Sequence, residues 1–149
     1  MNNTQAGSQQ RYFRDFNVGY NGHTWYTMTD GGIPDICWVT WTPTLHQSGY
    51  HEVFAYIPSN GASTTEAPYK VYHDNGVSTV VVNQSLYFNE WVSLGIYYFT
   101  QGSGGQVYLG DSTNVDGDMI AYDAMWWSFR PLANANFNNS PTVICPGDT

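Results

Sequence analysis

Asp74-Asn75-Gly76 is the feature that most restricts what this chain can fold into. Asn-Gly is the strongest short hairpin signal, because both central residues of a type I′ turn need positive φ. Before it, Tyr69, Val71 and His73 alternate with Lys70 and Tyr72, the two-residue period of a half-buried strand. After it, 77–84 is a return strand rich in β-branched residues. A second turn at 85–90 leads through Trp91-Val92-Ser93-Leu94-Gly95 into a third strand at 96–100. The stretch 67–95 therefore reads as the heart of an antiparallel meander.

The rest of the chain repeats this pattern. Strands are expected at 23–29, 37–42, 50–57, 106–109 and 119–129, separated by Gly-, Pro-, Asn- and Asp-containing turns. Eight or nine short strands at such spacing, with no helical periodicity, predict an all-β fold: an antiparallel β-sandwich, jelly-roll-like, in a single domain. Its expected extent is 21–131, with an N-terminal arm at 1–20 and a C-terminal arm at 132–149. Within the first arm, 1–10 is polar and reads as flexible. Residues 11–20 carry Tyr12, Phe13, Phe16 and Val18, which suits an edge strand or a packed arm.

An ordered series of short motifs runs through the sandwich: Trp41-Thr42-Pro43, Val53-Phe54-Ala55-Tyr56-Ile57-Pro58, Ala67-Pro68-Tyr69-Lys70-Val71-Tyr72-His73, Val82-Asn83-Gln84, Trp91-x-x-Leu94-Gly95, Val107-x-Leu109 and Asp123-Ala124. Taken together, over roughly 22–129, the series resembles the golvesin-like domain, also described as the carbohydrate-binding-like domain of xanthan lyases. The resemblance implies a small β-sandwich appended to secreted bacterial enzymes and surface proteins, with polysaccharide binding as its expected role. It also implies that Trp41, Trp91 and His73 are structural and that Met125, Trp127 and Phe129 take inward positions.

Charge narrows the partners further. The chain of 149 residues carries only four Lys or Arg against twelve Asp or Glu, a formal net charge of −8. Phosphate backbones are bound through clustered Lys and Arg, so no nucleic-acid partner is expected, and attraction to anionic membranes is disfavoured likewise. No apolar run approaches the ~20 residues of a membrane span, so no membrane insertion is expected. The N-terminus lacks the apolar segment of a signal peptide, so the chain reads as a mature or excised domain, or as one that needs no leader, as a virion component would; a surface of neutral polar residues and Tyr suits an extracellular or cell-surface place. Cys37 and Cys145 are the only cysteines, which leaves one disulfide or two thiols open.

A sugar-binding face needs exposed aromatic rings to stack on pyranose faces, with polar side chains nearby for the hydroxyls. With the inward positions that the resemblance implies, strand alternation points Trp38, Trp126 and Tyr98 away from the core side. With Trp25 and Tyr26 they form the candidate carbohydrate-binding set. A metal is a second candidate: oxygen-bearing side chains at 112–118 follow EF-hand-like spacing, which nominates Asn114, Asp116, Asp118 and Asp123 for a structural calcium. The competing reading of Asp123 is that its carboxylate caps a nearby turn. No cofactor is required by any motif. The histidines lack zinc spacing, no G-x-S-x-G elbow is present, and Glu52, Glu66 and Glu90 are scattered rather than paired.

Two functions follow. The first is a non-catalytic extracellular module that binds polysaccharide through exposed aromatics, with neutral glycans favoured because the net charge repels acidic ones. The alternative is a structural subunit of an extracellular filament, sheath or virion, a homo-oligomer assembled through its terminal arms.

Overall fold

The computed structural model describes the backbone of residues 3–6 and the whole of residues 12–132. Eleven strands form: β1 (Asn3–Ala6), β2 (Arg14–Phe16), β3 (Thr24–Met28), β4 (Trp38–Thr42), β5 (Gly49–Ile57), β6 (Ala67–His73), β7 (Gly76–Val82), β8 (Glu90–Phe99), β9 (Gln106–Gly110), β10 (Met119–Tyr122) and β11 (Met125–Arg130). They make a five-stranded sheet, β1-β4-β9-β6-β7, and two three-stranded sheets, β10-β3-β2 and β11-β5-β8, with every strand pair antiparallel. The result is an all-β sandwich. The expected hairpin joins β6 to β7, but its turn residues are Asp74 and Asn75: His73 pairs with Gly76 and only Gly76 has positive φ (124°), so the expected type I′ turn centred on Asn75-Gly76 does not form.

The core lies between the inner sheet faces. Val39 and Trp41 from β4, Tyr69 and Val71 from β6, and Val107 and Leu109 from β9 face Val53, Ala55 and Ile57 from β5, with Leu94, Phe99 and Trp127 beside them. Each set follows the period of two expected of strands buried on one face. His73 is the structural residue the resemblance implied. Its Nδ1 accepts the Asn75 amide, so Nε2 is the donor to Ser78 Oγ, and the ring stacks on Tyr97.

Three more expectations change. Residues 3–6, inside the arm read as flexible, pair with β4, whereas β2 on β3 is the edge strand that 11–20 suited. The expected strand 119–129 is two strands in different sheets, split by Asp123-Ala124. Ala124 O accepts the Tyr56 amide, which pulls the chain off β3 and onto β5. Phe129, expected inward, lies on the strand's inner side but at its end, where it stays partly exposed against the His51 ring.

Gln84 ties the sheets together. It is fully buried, its amide nitrogen donating to Tyr69 Oη and Ala121 O while its oxygen accepts the Ala121 amide. The side chain thus serves the β10 edge as a neighbouring strand would.

Candidate functional site

The outer face of the β11-β5-β8 sheet carries the exposed rings of Tyr50, Tyr98 and Trp126. On β5, residues 51, 53, 55 and 57 are buried, so Tyr50, Glu52, Phe54 and Tyr56 point outward. Their neighbours across the sheet form rows: Trp91 opposite Tyr56; Trp126 and Ser93 flanking Phe54; Ser128 and Ile96 flanking Glu52; Arg130 and Tyr98 flanking Tyr50. From Tyr56 to Tyr50 the face runs about 20 Å, at about 3.4 Å per residue.

At one end the rings are continuous. Phe54 stacks on Trp126 (4.9 Å, 22°), Trp126 meets Trp91 edge-on at 5.8 Å, and Trp91 meets Tyr56 at 5.1 Å. Tyr20, from the turn before β3, closes the group at 5.6 Å from Tyr56 and 5.4 Å from Trp91. Trp126 remains 47% exposed and Tyr20 46%. At the other end Tyr50 and Tyr98 pair edge to face at 5.4 Å. Between the two lies a polar strip. Glu52 accepts from the Arg130 guanidinium and from Ser93 Oγ (2.8 Å), and the bond to Arg130, then that to Ser93, holds its carboxyl below the ordinary value. Aromatic platforms separated by charged and hydroxyl groups are the composition a polyol ligand uses.

The expected site residues separate on the fold. Trp126 and Tyr98 share this face. Trp38 is half-buried on β4, on the outer side of the five-stranded sheet. Trp25 is exposed on β3 and packs on His23, which pairs with Asp15; Tyr26 stacks on Phe16 at 4.7 Å. The structure therefore does not bring the five together. Trp91, read as a core residue, is on the outer face instead. The reason is a register shift in β8: Val53 pairs with Gly95 but Phe54 pairs with Ser93, so Leu94 is one residue too many. Such a bulge reverses the alternation beyond it. Tyr97 and Trp91 share a parity yet face opposite ways.

The four calcium candidates do not converge either. Asn114 donates to Glu66, Asp116 accepts the Gly31 amide, the Asp118 amide donates to Thr29 Oγ1, and Asp123 accepts the Tyr20 amide. Among the described residues no cluster of three or more His, Cys, Asp or Glu could hold a metal ion. The loop is closed by Thr29, which also exchanges backbone bonds with Asp118 and Gly117. Asp123 is the turn cap of the competing reading. Cys37 is buried against Asp111, its thiol pushed up to about 12 by burial first and Asp111 second; Cys145 lies outside the described residues. The three glutamates are dispersed: Glu52 is on the outer face, Glu66 in the loop before β6 and Glu90 at the start of β8.

A groove of about 400 Å³ on the opposite sheet is lined by Ile33, Pro34, Asp35, Pro68, Lys70 and Tyr108, among others. Its polar groups serve one another: Asp35 accepts from Tyr108 Oη and the Ser112 amide, and the Lys70 ammonium sits over the Tyr108 ring. The aromatic face is the better candidate.

Fold and face together define a small all-β domain with a ringed outer sheet surface. The chain belongs to the golvesin C-terminal domain family, whose match spans residues 2–127. It is also similar to the xanthan lyase of Bacillus sp. (strain GL1), at 32% identity over 85 residues, 56% of this chain and 9% of that protein. The solved xanthan lyase of Paenibacillus superposes with a TM-score of 0.69 at 25% identity, over 86% of this chain and 12% of that one. The chain thus spans about a tenth of either relative. Among the described residues no helix is long and apolar enough to cross a membrane.

Proposed function

We propose that this domain is a non-catalytic, carbohydrate-associated module of an extracellular protein, binding polysaccharide across the outer face of the β11-β5-β8 sheet. The observation that carries the reading is the contiguous set of rings Phe54, Trp126, Trp91, Tyr56 and Tyr20 on one sheet surface, with Tyr50 and Tyr98 farther along it. Exposed apolar patches of this kind mark binding sites. The similarity to a segment of two xanthan lyases supports a polysaccharide as the partner. Neutral chains are favoured, because a formal charge of −8 opposes an acidic one. The candidate residues are accordingly Trp126 and Tyr98 from the initial set, joined by Trp91, Tyr56, Phe54 and Tyr50.

Tryptophan fluorescence tests this. Titration with hydroxyethylcellulose and with xanthan is expected to give a saturable shift, larger at equal concentration for the neutral polymer, which Trp126→Ala abolishes and Trp25→Ala leaves intact. A flat response to both polymers, or undiminished binding by Trp126→Ala, would remove the aromatic face from the argument.

A further inference from the structure

We infer that Asp123 is a positioning residue of the aromatic face: its carboxylate holds the turn at 19–22 through the Tyr20 amide, so that the Tyr20 ring closes the end formed by Tyr56 and Trp91. The inference rests on the proposed glycan reading for its consequence, but the latch itself is visible in the packing.

Asp123 occupies the two-residue corner between β10 and β11, and its position is dictated from three sides. Its own carbonyl accepts the indole N–H of the core residue Trp41 at 2.9 Å. Tyr122 before it pairs with Trp25 of β3, and Ala124 after it accepts the amide of Tyr56. The carboxylate is therefore referenced to the same strand that presents Tyr56 on the outer face. From there both carboxylate oxygens reach the Tyr20 amide, at 3.2 and 3.3 Å, across 103 residues of sequence.

The turn is shaped to receive it. Gly19 has φ 95°, and a Cβ there would lie 2.2 Å from Asp123 Oδ2, so only glycine lets the carboxylate approach. Within the turn itself the backbone bonds are Gly22 to Gly19 and a long one from His23 to Tyr20. Tyr20 then rests its ring on Tyr56 and Trp91.

Choosing a carboxylate here has a cost. Burial pushes Asp123 up to about 6, against the opposing bonds from the Tyr20 amide, Thr24 and the Ala124 amide. The titratable groups facing it are His23 from the same turn, Tyr56 from β5 and Tyr69 from β6. A neutral cap would avoid that cost, but an ionised acceptor makes the stronger hydrogen bond to the amide. Ionisation thus favours a seated Tyr20.

The test compares wild type, Asp123→Asn, Tyr20→Ala and the double variant. Near-UV circular dichroism without ligand reads the Tyr20–Trp91–Tyr56 ring coupling, and titration with hydroxyethylcellulose and with xanthan reads binding. Asp123→Asn is expected to keep the far-UV spectrum, to lose part of the near-UV signal that Tyr20→Ala removes, and to weaken binding about three- to tenfold. In the Tyr20→Ala background it should cost nothing further, since the carboxylate then has no ring to place. Gly19→Ala, which displaces the turn from the other side, should copy Asp123→Asn. Wild-type binding should fall as pH drops through about 6, while Asp123→Asn stays level. Equal losses from Asp123→Asn in both backgrounds would overturn the inference, as would an unchanged near-UV spectrum. If wild type binds neither polymer, the glycan reading fails while the near-UV comparison still decides the latch.

Discussion

Replacing Gln84 by Met isolates how much one buried amide does for this sandwich. Met matches the length and volume of Gln but removes all its hydrogen-bonding atoms. Three partners lose their bond: Tyr69 Oη, Ala121 O and the Ala121 amide. Each buried group left unpaired costs about 1–3 kcal/mol. The carbonyl has a second lone pair, and a thioether is more apolar than an amide, so part of the loss is offset. The net expectation is about 3 kcal/mol of destabilisation, roughly 6–12 °C in Tm for a domain of this size. Urea unfolding followed by fluorescence measures it, with an unchanged m-value showing that the denatured state is the same. Tyr69→Phe supplies the internal control, because it deletes one of the orphaned partners. In that background Gln84→Met should cost about 1 kcal/mol less. A loss below about 1 kcal/mol, or the same loss in both backgrounds, would show that water or repacking satisfies these groups and that Gln84 is not the tie between sheets.

Gly110→Ala should destabilise by about 2–3 kcal/mol in the same assay, because its Cβ would lie 2.1 Å from the Asp35 carboxylate and push away the segment that covers β9. Trp127→Phe is expected to stay within about 1 kcal/mol of wild type: the buried indole N–H has no hydrogen-bond partner among the described residues, so its removal offsets the smaller ring. For pH, Asp123 is raised to about 6, so the folded state holds that proton more tightly than the unfolded chain does. Its contribution is therefore most favourable below about pH 4 and is lost as pH rises through 6. Discounted for partial solvent screening this is about 1–2 kcal/mol, read as the change between pH 7 and pH 4 in the stability difference between wild type and Asp123→Asn. A difference independent of pH would contradict the burial argument.

Local pattern carried much of this protein. A period of two separates Cys37, Val39 and Trp41 from Trp38, Phe99 from Tyr98, and Trp127 from Trp126, and turn chemistry places the β6–β7 hairpin, all acting between near neighbours; which of the two faces is inward came from the family resemblance. Ordered motifs placed the family. The site required more. One extra residue at Leu94 reverses the facing of Trp91, and a bulge shows only when β8 is laid against β5. In sequence Asp123 fell at the last position of an EF-hand-like spacing, with a turn cap as its competing reading. Its carboxylate is instead spent on Tyr20, 103 residues away. Which rings share a surface depends on strand order and register. Those are set by long-range pairing and the packing of two sheets, interactions that alternation along a single strand does not encode.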